Sequence, residues 1–254
     1  PDTQMGQAAL SIRNLTLPDP SGGFDLVDRL SLDVRAGEIV CIYGLMGAGR
    51  TELLETCAGR LRASAGEIVL QGQEISHLSI AERIARGLAL VPEDRQRDGL
   101  VQTMSVGENL SLASIRRFTR GLFTSARAER RLVESSIREV TVKTSGPAAP
   151  IGSLSGGNQQ KVVIGKILAT RPRVIMLDEP SRGIDIGAKA EVFRLLAEEA
   201  RQGLAVIYST SEVSECLSIA HRIVVMHKGR ISAEFDSTVT KEKIMAASGE
   251  SVAA

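Results

Sequence analysis

The sequence predicts an α/β fold whose core is a parallel sheet, and it does so on three observations. Short, continuous apolar runs at 39–42, 174–177, 204–207 and 223–226 are typical of strands that are buried on both faces. The first two runs are each followed by a turn and a helical pattern, which is the repeating order of parallel sheets. Near-alternation of apolar and polar residues at 10–17 and 30–35 predicts additional, half-buried strands.

The first predicted element is an antiparallel edge sheet. Its strands are marked by Leu10, Ile12, Leu15 and Leu17, and then by Leu30, Leu32 and Val34, which alternate with Ser31, Asp33 and Arg35. The run 39–42 begins the parallel sheet, and a helix is expected at 51–58. A second helix is expected at 188–201, with Val192, Leu195 and Leu196 on its buried face.

The segment 105–142 contains no strand-like run and predicts a helical insert. It is dense in arginine, with glutamates interleaved. A mixed-sign run of this kind is typical of a solvated helix face, and a patch for an acidic partner is the alternative. The breakers Ser145, Gly146, Pro147 and Pro150 then end the helical stretch.

Composition narrows the classes of function. With 254 residues and 43% hydrophobic content, the chain can bury a full core, and we expect one two-lobed domain. The net charge of +1 argues against nucleic acid as a partner. The cysteines Cys41, Cys57 and Cys216 are odd in number and widely spaced, which fits a reducing cytoplasm. No apolar run approaches the roughly 20 residues that span a bilayer.

A phosphate-binding loop is predicted at 44–51. The loop follows an apolar strand and opens a helix, which is the context that the pattern G-x-x-x-x-G-K-[ST] requires. Arg50 stands in place of the lysine, and its planar fork is not interchangeable with a compact ammonium, so we expect weakened or altered nucleotide binding. Backbone N–H groups and the Thr51 hydroxyl are placed for phosphates and Mg²⁺. The nucleotide-binding residues of the loop are Gly44, Gly47, Ala48, Gly49, Arg50 and Thr51.

Two carboxylates follow the apolar run 174–177. The stretch from Val174 to Pro180 resembles the Walker B motif, in which a buried strand delivers adjacent carboxylates at its end. The resemblance implies that Asp178 serves Mg²⁺ and that Glu179 is the general base that polarises the attacking water. Asp178 and Glu179 are therefore the predicted catalytic residues.

The stretch from Leu154 to Lys161 places a serine and two glycines at the start of an apolar helix. Glycines allow an anion to approach closely, the first helical N–H groups lack intrahelical partners, and the helix dipole favours negative charge there. The octapeptide resembles the signature motif of ATP-binding-cassette (ABC) ATPases, and its ending is similar to the sugar-importer branch. This resemblance assigns contact with a partner's ATP to Leu154, Ser155, Gly156, Gly157, Asn158 and Gln159.

The same resemblance assigns further positions. Glu93 occupies the slot of the Q-loop glutamine, where a carboxylate can approach Mg²⁺ but donates no hydrogen bond when ionised. Ser211 stands where most ABC ATPases carry the switch histidine, and it cannot hold a positive charge. Asp185 lies in the D-loop, where it either reaches across a cassette dimer or caps a helix. No aromatic residue occurs at 15–23 to stack on adenine, which leaves Phe24 as the substitute.

Together, Arg50, Glu93, Ser211 and an intact signature resemble the second, C-terminal ATPase half of bacterial sugar importers of the ribose, xylose and galactose type. In that family two cassettes are fused, and each ATP lies between the P-loop of one and the signature of the other. The resemblance implies ATP and Mg²⁺ as cofactors. It implies a first ATPase half, an integral-membrane permease and, indirectly, a periplasmic sugar-binding protein as partners, and a peripheral location on the cytoplasmic face of the inner membrane.

The predicted function is energising sugar import, with a degenerate P-loop, a signature donated to the partner half, and weak or absent ATP hydrolysis by the isolated chain. A non-hydrolysing nucleotide-binding module stays open as an alternative, because Arg50 and Ser211 replace groups that stabilise transition-state charge. An ABC ATPase that acts on DNA is disfavoured by the near-zero net charge and by the lack of a long coiled-coil insertion.

The fold class implied by the resemblance is the ABC ATPase fold. This is a P-loop NTPase, RecA-like parallel sheet with an N-terminal antiparallel β subdomain and an all-helical insert. The expected division is a flexible start at 1–8, the ATP-binding core at 9–100 and 158–236, a helical subdomain at 101–157 and a C-terminal helix or tail at 237–254. From 232 onward the composition predicts a frayed tail with one amphipathic piece at 244–247. The start at Pro1 rather than Met suggests a piece of a longer protein.

Overall fold

The computed structural model describes residues 6–120 and 123–249, and the described chain divides into two compact units. The first unit contains the residues up to Leu90, then Arg173–Glu179 and the residues from Leu196 onward. The second contains Val91–Pro172 and Pro180–Leu195. Of the expected flexible start and tail, residues 1–5 and 250–254 lie outside the described residues, and so do 121 and 122 of the predicted insert.

The chain forms strands in the following order. They are β1 (Ala8–Leu17), β2 (Val27–Arg35), β3 (Ile39–Tyr43), β4 (Ala65–Leu70), β5 (Gln73–Glu74), β6 (Leu88–Val91), β7 (Thr119–Arg120), β8 (Phe123–Thr124), β9 (Val174–Asp178), β10 (Ala205–Thr210), β11 (Arg222–His227) and β12 (Arg230–Asp236). The helices are α1 (Arg50–Ala58), α2 (Ile80–Arg86), α3 (Val106–Leu112), α4 (Ala126–Glu139), α5 (Gly156–Leu168), α6 (Ile186–Arg201), α7 (Val213–Ile219) and α8 (Lys241–Ala247).

The larger sheet has the order β12-β11-β3-β10-β9-β6. Strand β10 pairs in parallel with both β3 and β9, and β11 pairs in parallel with β3. These four strands coincide with the four apolar runs, and their side chains are almost all buried, which confirms the predicted parallel sheet. The continuous apolar signal arises because both faces of each strand are covered.

The predicted antiparallel edge sheet is also confirmed. Its order is β2-β1-β4-β5, and β1 pairs antiparallel with β2 and with β4. The apolar face of this sheet joins α1 and one face of the parallel sheet in the core of the first unit, which includes Leu10, Ile12, Leu53, Leu54 and Met176.

The second unit is largely helical, with α3, α4 and α5 packed on one another. Its described residues also include the antiparallel pair of β7 and β8, and these strands of two residues each are too short to leave a strand signal in the sequence. Most arginines of the segment, including those of α4, are exposed, as expected for a solvated face. Val192 and Leu195 on α6 are buried as predicted, and so is Leu196, which belongs to the first unit.

The frayed tail predicted from 232 onward is wrong over the described residues. Strand β12 runs to Asp236 and pairs antiparallel with β11, and α8 follows with Ile244 fully buried. Residues of β12 alternate between exposed and half-buried, because the strand lies at the sheet edge. Its order depends on pairing with β11 rather than on its own apolar residues.

Candidate functional site

The loop between β3 and α1 requires glycine at its two ends. Gly49 has a φ of 95°, and a Cβ there would lie 2.2 Å from the carbonyl oxygen of Leu26. A Cβ on Gly44 would lie 2.8 Å from the carbonyl oxygen of Met226. Both glycines therefore let the loop pack against neighbouring backbone before α1 begins at Arg50.

The outer part of this loop is open to solvent. Met46 is 97% exposed at its crest. Phe24 is 85% exposed and directly precedes Asp25 and Leu26, whose carbonyl oxygens lie beside Gly229 and Gly49. An exposed aromatic ring has the chemistry of a stacking platform.

Arg50 makes an ion pair with Glu179. Its Nη1 donates to Oε1 of Glu179 across 2.8 Å, and the two side chains are 11% and 13% exposed. Two charges that are this well shielded from water stabilise each other when paired and are costly to separate. The predicted P-loop cation and the predicted general base are thus direct partners.

Asp178 and Glu179 are held by a serine that the sequence analysis did not assign. The Ser209 hydroxyl donates to Oδ1 of Asp178, which is 2% exposed, and accepts from the Glu179 N–H across 3.1 Å. Glu179 has a φ of 45°, a left-handed conformation that is uncommon outside glycine. Strand register brings Ser209 opposite Asp178, so the missed signal was a hydroxyl at the end of the neighbouring apolar run.

Ser211 follows β10 and is exposed. The preceding Thr210 is fully buried and donates from Oγ1 to Oε2 of Glu215 across 2.6 Å. Thr210 also accepts from the N–H of Glu212 across 3.0 Å, so the turn that carries Ser211 is anchored on both sides.

In the second unit, Ser155 caps α5. Its hydroxyl accepts from the side-chain amide of Asn158 across 3.0 Å, and Oδ1 of Asn158 accepts from the N–H of Lys143 across 2.9 Å. Leu154 and Gly156 are half-buried, while Ser155 is exposed. The N-terminal end of α5 is therefore ordered by its own side chains.

Gly157 has a packing role. A Cβ there would lie 2.2 Å from the Cβ of Ala188 on α6. The two helices approach so closely that only glycine fits without a shift of backbone. Gln159 is buried behind it and accepts from the side-chain amide of Gln96 across 2.5 Å.

The remaining predicted residues also lie in the second unit. The Glu93 carboxylate makes an ion pair with Arg182, and both line a cleft of about 440 Å³. Oδ1 of Asp185 accepts from the N–H of Ala188 across 2.9 Å, so Asp185 caps α6, which was one of the two predicted roles.

The profile of the family described as ABC transporter matches residues 27–182, which include the loop at 44–51, the signature stretch and Asp178. This chain belongs to the ABC transporter family.

Curated relatives match this chain over almost all of its length. It is 44% identical over 245 residues to a putative ribose/galactose/methyl galactoside import ATP-binding protein of Rhizobium etli, covering 96% of this chain and 46% of that protein. It is 41% identical over 246 residues to a xylose import ATP-binding protein of Escherichia coli K12, covering 95% and 48%. The chain thus spans about half the length of these relatives.

Solved structures match the fold of the ABC chain. A dimeric ATP-binding cassette in a post-hydrolysis state with ADP and Pi has a TM-score of 0.78 at 22% identity, covering 91% of this chain and 100% of that one. A nucleotide-free cassette has a TM-score of 0.79 at 22% identity, covering 94% and 96%. The predicted ABC ATPase fold is confirmed. Among the described residues of this ABC chain, no helix is long and apolar enough to cross a bilayer.

The predicted residues of the ABC chain fall into two groups, one in each unit. The first unit holds Gly44–Thr51, Asp178, Glu179 and Ser211, and the second holds Glu93, Leu154–Gln159 and Asp185. In the first unit, α1 packs against β9, which brings together the elements that carry Thr51 and Asp178. A hydroxyl and a carboxylate are hard oxygen donors, so this donor set fits Mg²⁺.

Proposed function

We propose that this chain is the second, C-terminal nucleotide-binding half of an ATP-driven ABC importer for sugars, and that a first ATPase half is fused to it. The observation that carries the proposal is the ion pair of Arg50 with Glu179 at 2.8 Å, combined with an intact signature at the start of α5. The nucleotide site at the P-loop of this chain would then be degenerate. The site at the P-loop of the first half would receive the complete signature of this chain. The match to about half of two sugar-import ATP-binding proteins supports the fusion.

At its own P-loop, the chain would bind ATP through backbone N–H groups of Gly44, Gly47, Ala48 and Gly49. Arg50 would offer its guanidinium to the phosphates in place of lysine. Thr51 and Asp178 would hold Mg²⁺. The ion would shield phosphate charge.

Hydrolysis at this P-loop would be weak. Glu179 would orient the water that attacks the γ-phosphorus, with ADP as the leaving group, and this role needs a carboxylate that is free to accept the water's proton. Arg50 occupies one oxygen of that carboxylate, Oε1. Ser211 supplies no positive charge for the γ-phosphate.

The signature would serve the ATP of the first half. Ser155 is exposed at the N-terminus of α5, where free N–H groups and the helix dipole favour an anion, and Leu154, Gly156, Gly157, Asn158 and Gln159 would form the rest of this surface. Asp185 would reach the partner half from the start of α6.

The remaining partners follow from this role. ATP would close the two halves and hydrolysis would reopen them, which shifts the population of an integral-membrane permease between conformations. The permease would receive sugar from a periplasmic sugar-binding protein. The chain would lie peripherally on the cytoplasmic face of the bacterial inner membrane.

The test uses the two-cassette protein with its permease in lipid vesicles. Ser155 is exposed, so Ser155→Arg blocks phosphate docking without filling a core position. We expect Ser155→Arg to reduce ATP-driven sugar uptake by at least about tenfold, and Glu179→Gln by less than about threefold. The reverse order would overturn the proposed asymmetry. Uptake that withstands both changes would overturn the proposed transport role.

A second candidate function is a non-hydrolysing nucleotide-binding module, which the Arg50–Glu179 contact favours because it occupies the general base. Titration of the purified chain with MgATP, together with an assay of phosphate release, separates the two. Binding without release, unchanged when the first half is added, would support the module.

A further inference from the structure

Arg95 lies between two glycine backbones in the second unit. Its Nη1 donates to the carbonyl oxygen of Arg182 across 2.7 Å, and its Nη2 donates to that of Gly183 across 2.9 Å. A Cβ on Gly156, in the signature, would lie 2.8 Å from Nη2, and one on Gly183 would lie 3.5 Å from it. Glycine at position 156 therefore makes room for the guanidinium, whereas a Cβ at position 183 would be in ordinary contact with it.

The contacts join three separate stretches of chain. Arg95 is two residues from Glu93, Gly156 begins α5, and Gly183 directly precedes the segment that leads to Asp185. The signature and this segment also meet directly, since a Cβ on Gly156 would lie 3.1 Å from the carbonyl oxygen of Gly183. A change in the position of Arg95 would therefore displace both the start of α5 and the 182–183 turn.

The charge of Arg95 is not neutralised by an ion pair within the described part of the chain. Both of its hydrogen bonds go to neutral carbonyl groups, and its Nε is buried without a hydrogen-bond partner. The neighbouring Asp94 carboxylate accepts instead from the N–H groups of Gln96 and Arg97. Burial lowers the pKa of Arg95, but an arginine remains charged at neutral pH.

We propose that Arg95 is a positioning residue of the signature: it fixes the 182–183 turn against Gly156 and adds positive charge beside the N-terminus of α5. This inference rests on the proposed function, in which that end of α5 contacts the ATP of the partner half. The planar fork suits the role, because its two terminal nitrogens donate to both carbonyl groups at once in a fixed geometry.

The experiment uses the two-cassette protein with its permease in vesicles and compares Arg95→Met and Arg95→Lys with the control Arg97→Met. Arg97 is exposed, lines the same cleft as Glu93, Arg95 and Arg182, and pairs with the adjacent Asp98. We expect Arg95→Met to lower kcat for ATP hydrolysis by at least about tenfold, Arg95→Lys by about threefold, and Arg97→Met not at all. The KM for ATP should rise in parallel, and the melting temperature should stay within a few degrees.

The other possible results would overturn either the role of Arg95 or the proposed function on which that role rests. Normal kcat in Arg95→Met, with Ser155→Arg inactive, would overturn the role of Arg95 and leave the proposed function standing. Normal kcat in both Arg95→Met and Ser155→Arg would overturn the proposed function itself. If Arg95→Met does not fold, Arg95→Lys decides, and an unchanged kcat in that variant overturns the proposal. Equal losses of kcat in both Arg95 variants, with lowered melting temperatures, would mark a merely structural residue.

Discussion

Arg50 and Glu179, which are 129 residues apart in the chain, are joined by a 2.8 Å ion pair beside the P-loop. Each side chain is largely shielded from solvent, so neither charge is free to act on a ligand without leaving the other. Nucleotide phosphates would compete with Glu179 for the guanidinium. The contact therefore links the affinity of the P-loop for nucleotide to the availability of the Glu179 carboxylate.

Replacing Glu179 by glutamine should raise the affinity of the chain for MgATP by about fivefold, or about 1 kcal/mol. The neutral amide holds Arg50 less strongly, so less interaction energy is lost when the phosphates recruit the guanidinium. Calorimetric titration at constant ionic strength measures the change. Glu67→Gln is the control, because Glu67 is an exposed carboxylate on β4. Unchanged or weaker binding by Glu179→Gln would contradict the competition.

Alanine at Gly157 should destabilise the protein by about 1 to 3 kcal/mol, as expected when a methyl group is forced into a packed contact. The new Cβ would lie 2.2 Å from that of Ala188, so α5 and α6 would have to separate. Urea unfolding measures the loss. Gly152→Ala serves as the control, because no atom beyond that residue and its two chain neighbours lies within 4 Å of its Cβ position. Equal stability of the two variants would contradict the packing role.

The sequence predicted the elements whose signal is local. The apolar runs that became β3, β9, β10 and β11 are buried on both faces, so each run carries its own pattern. Strand β12 escaped prediction because its half-buried residues depend on the pairing with β11.

The candidate site divides in the same way. Arg50 and Glu179 could be assigned from local motifs, but their contact depends on the tertiary fold. Ser209 was missed because the parallel register, rather than a motif, places it opposite Asp178. The contacts of Arg95 reach across 87 and 88 residues and leave no periodic pattern in the chain.

Arg83 should be among the most sensitive positions of the first unit. It is 3% exposed and donates to the carbonyl groups of Thr56 and Cys57 at the end of α1, and also to those of Ser76 and Leu78. Methionine there should cost about 3 kcal/mol, because buried carbonyl groups lose a charged donor at the C-terminal end of a helix. Arg86→Met, on the exposed side of α2, should cost less than about 0.5 kcal/mol in the same urea titration. A similar cost for both variants would contradict this account.

Stability should also fall as the pH is lowered, through His221. Its Nδ1 accepts from the N–H of Ile39 across 2.9 Å, and burial holds the pKa of the imidazole below its usual value of 6.5. As the pH falls, the unfolded chain therefore takes up the proton before the folded chain does. The contribution of His221 to the free energy of unfolding is fully present above about pH 7 and declines as the pH falls through 6.5 toward the folded pKa.

Replacing His221 by glutamine removes this proton linkage, so the difference in unfolding free energy between pH 7.5 and pH 5.5 should be smaller in His221→Gln than in the parent chain. His77→Gln is the matched control, because His77 is largely exposed and pairs with Glu74 at the surface. A pH dependence that persists unchanged in His221→Gln would show that the linkage belongs to other groups and would contradict the role of His221.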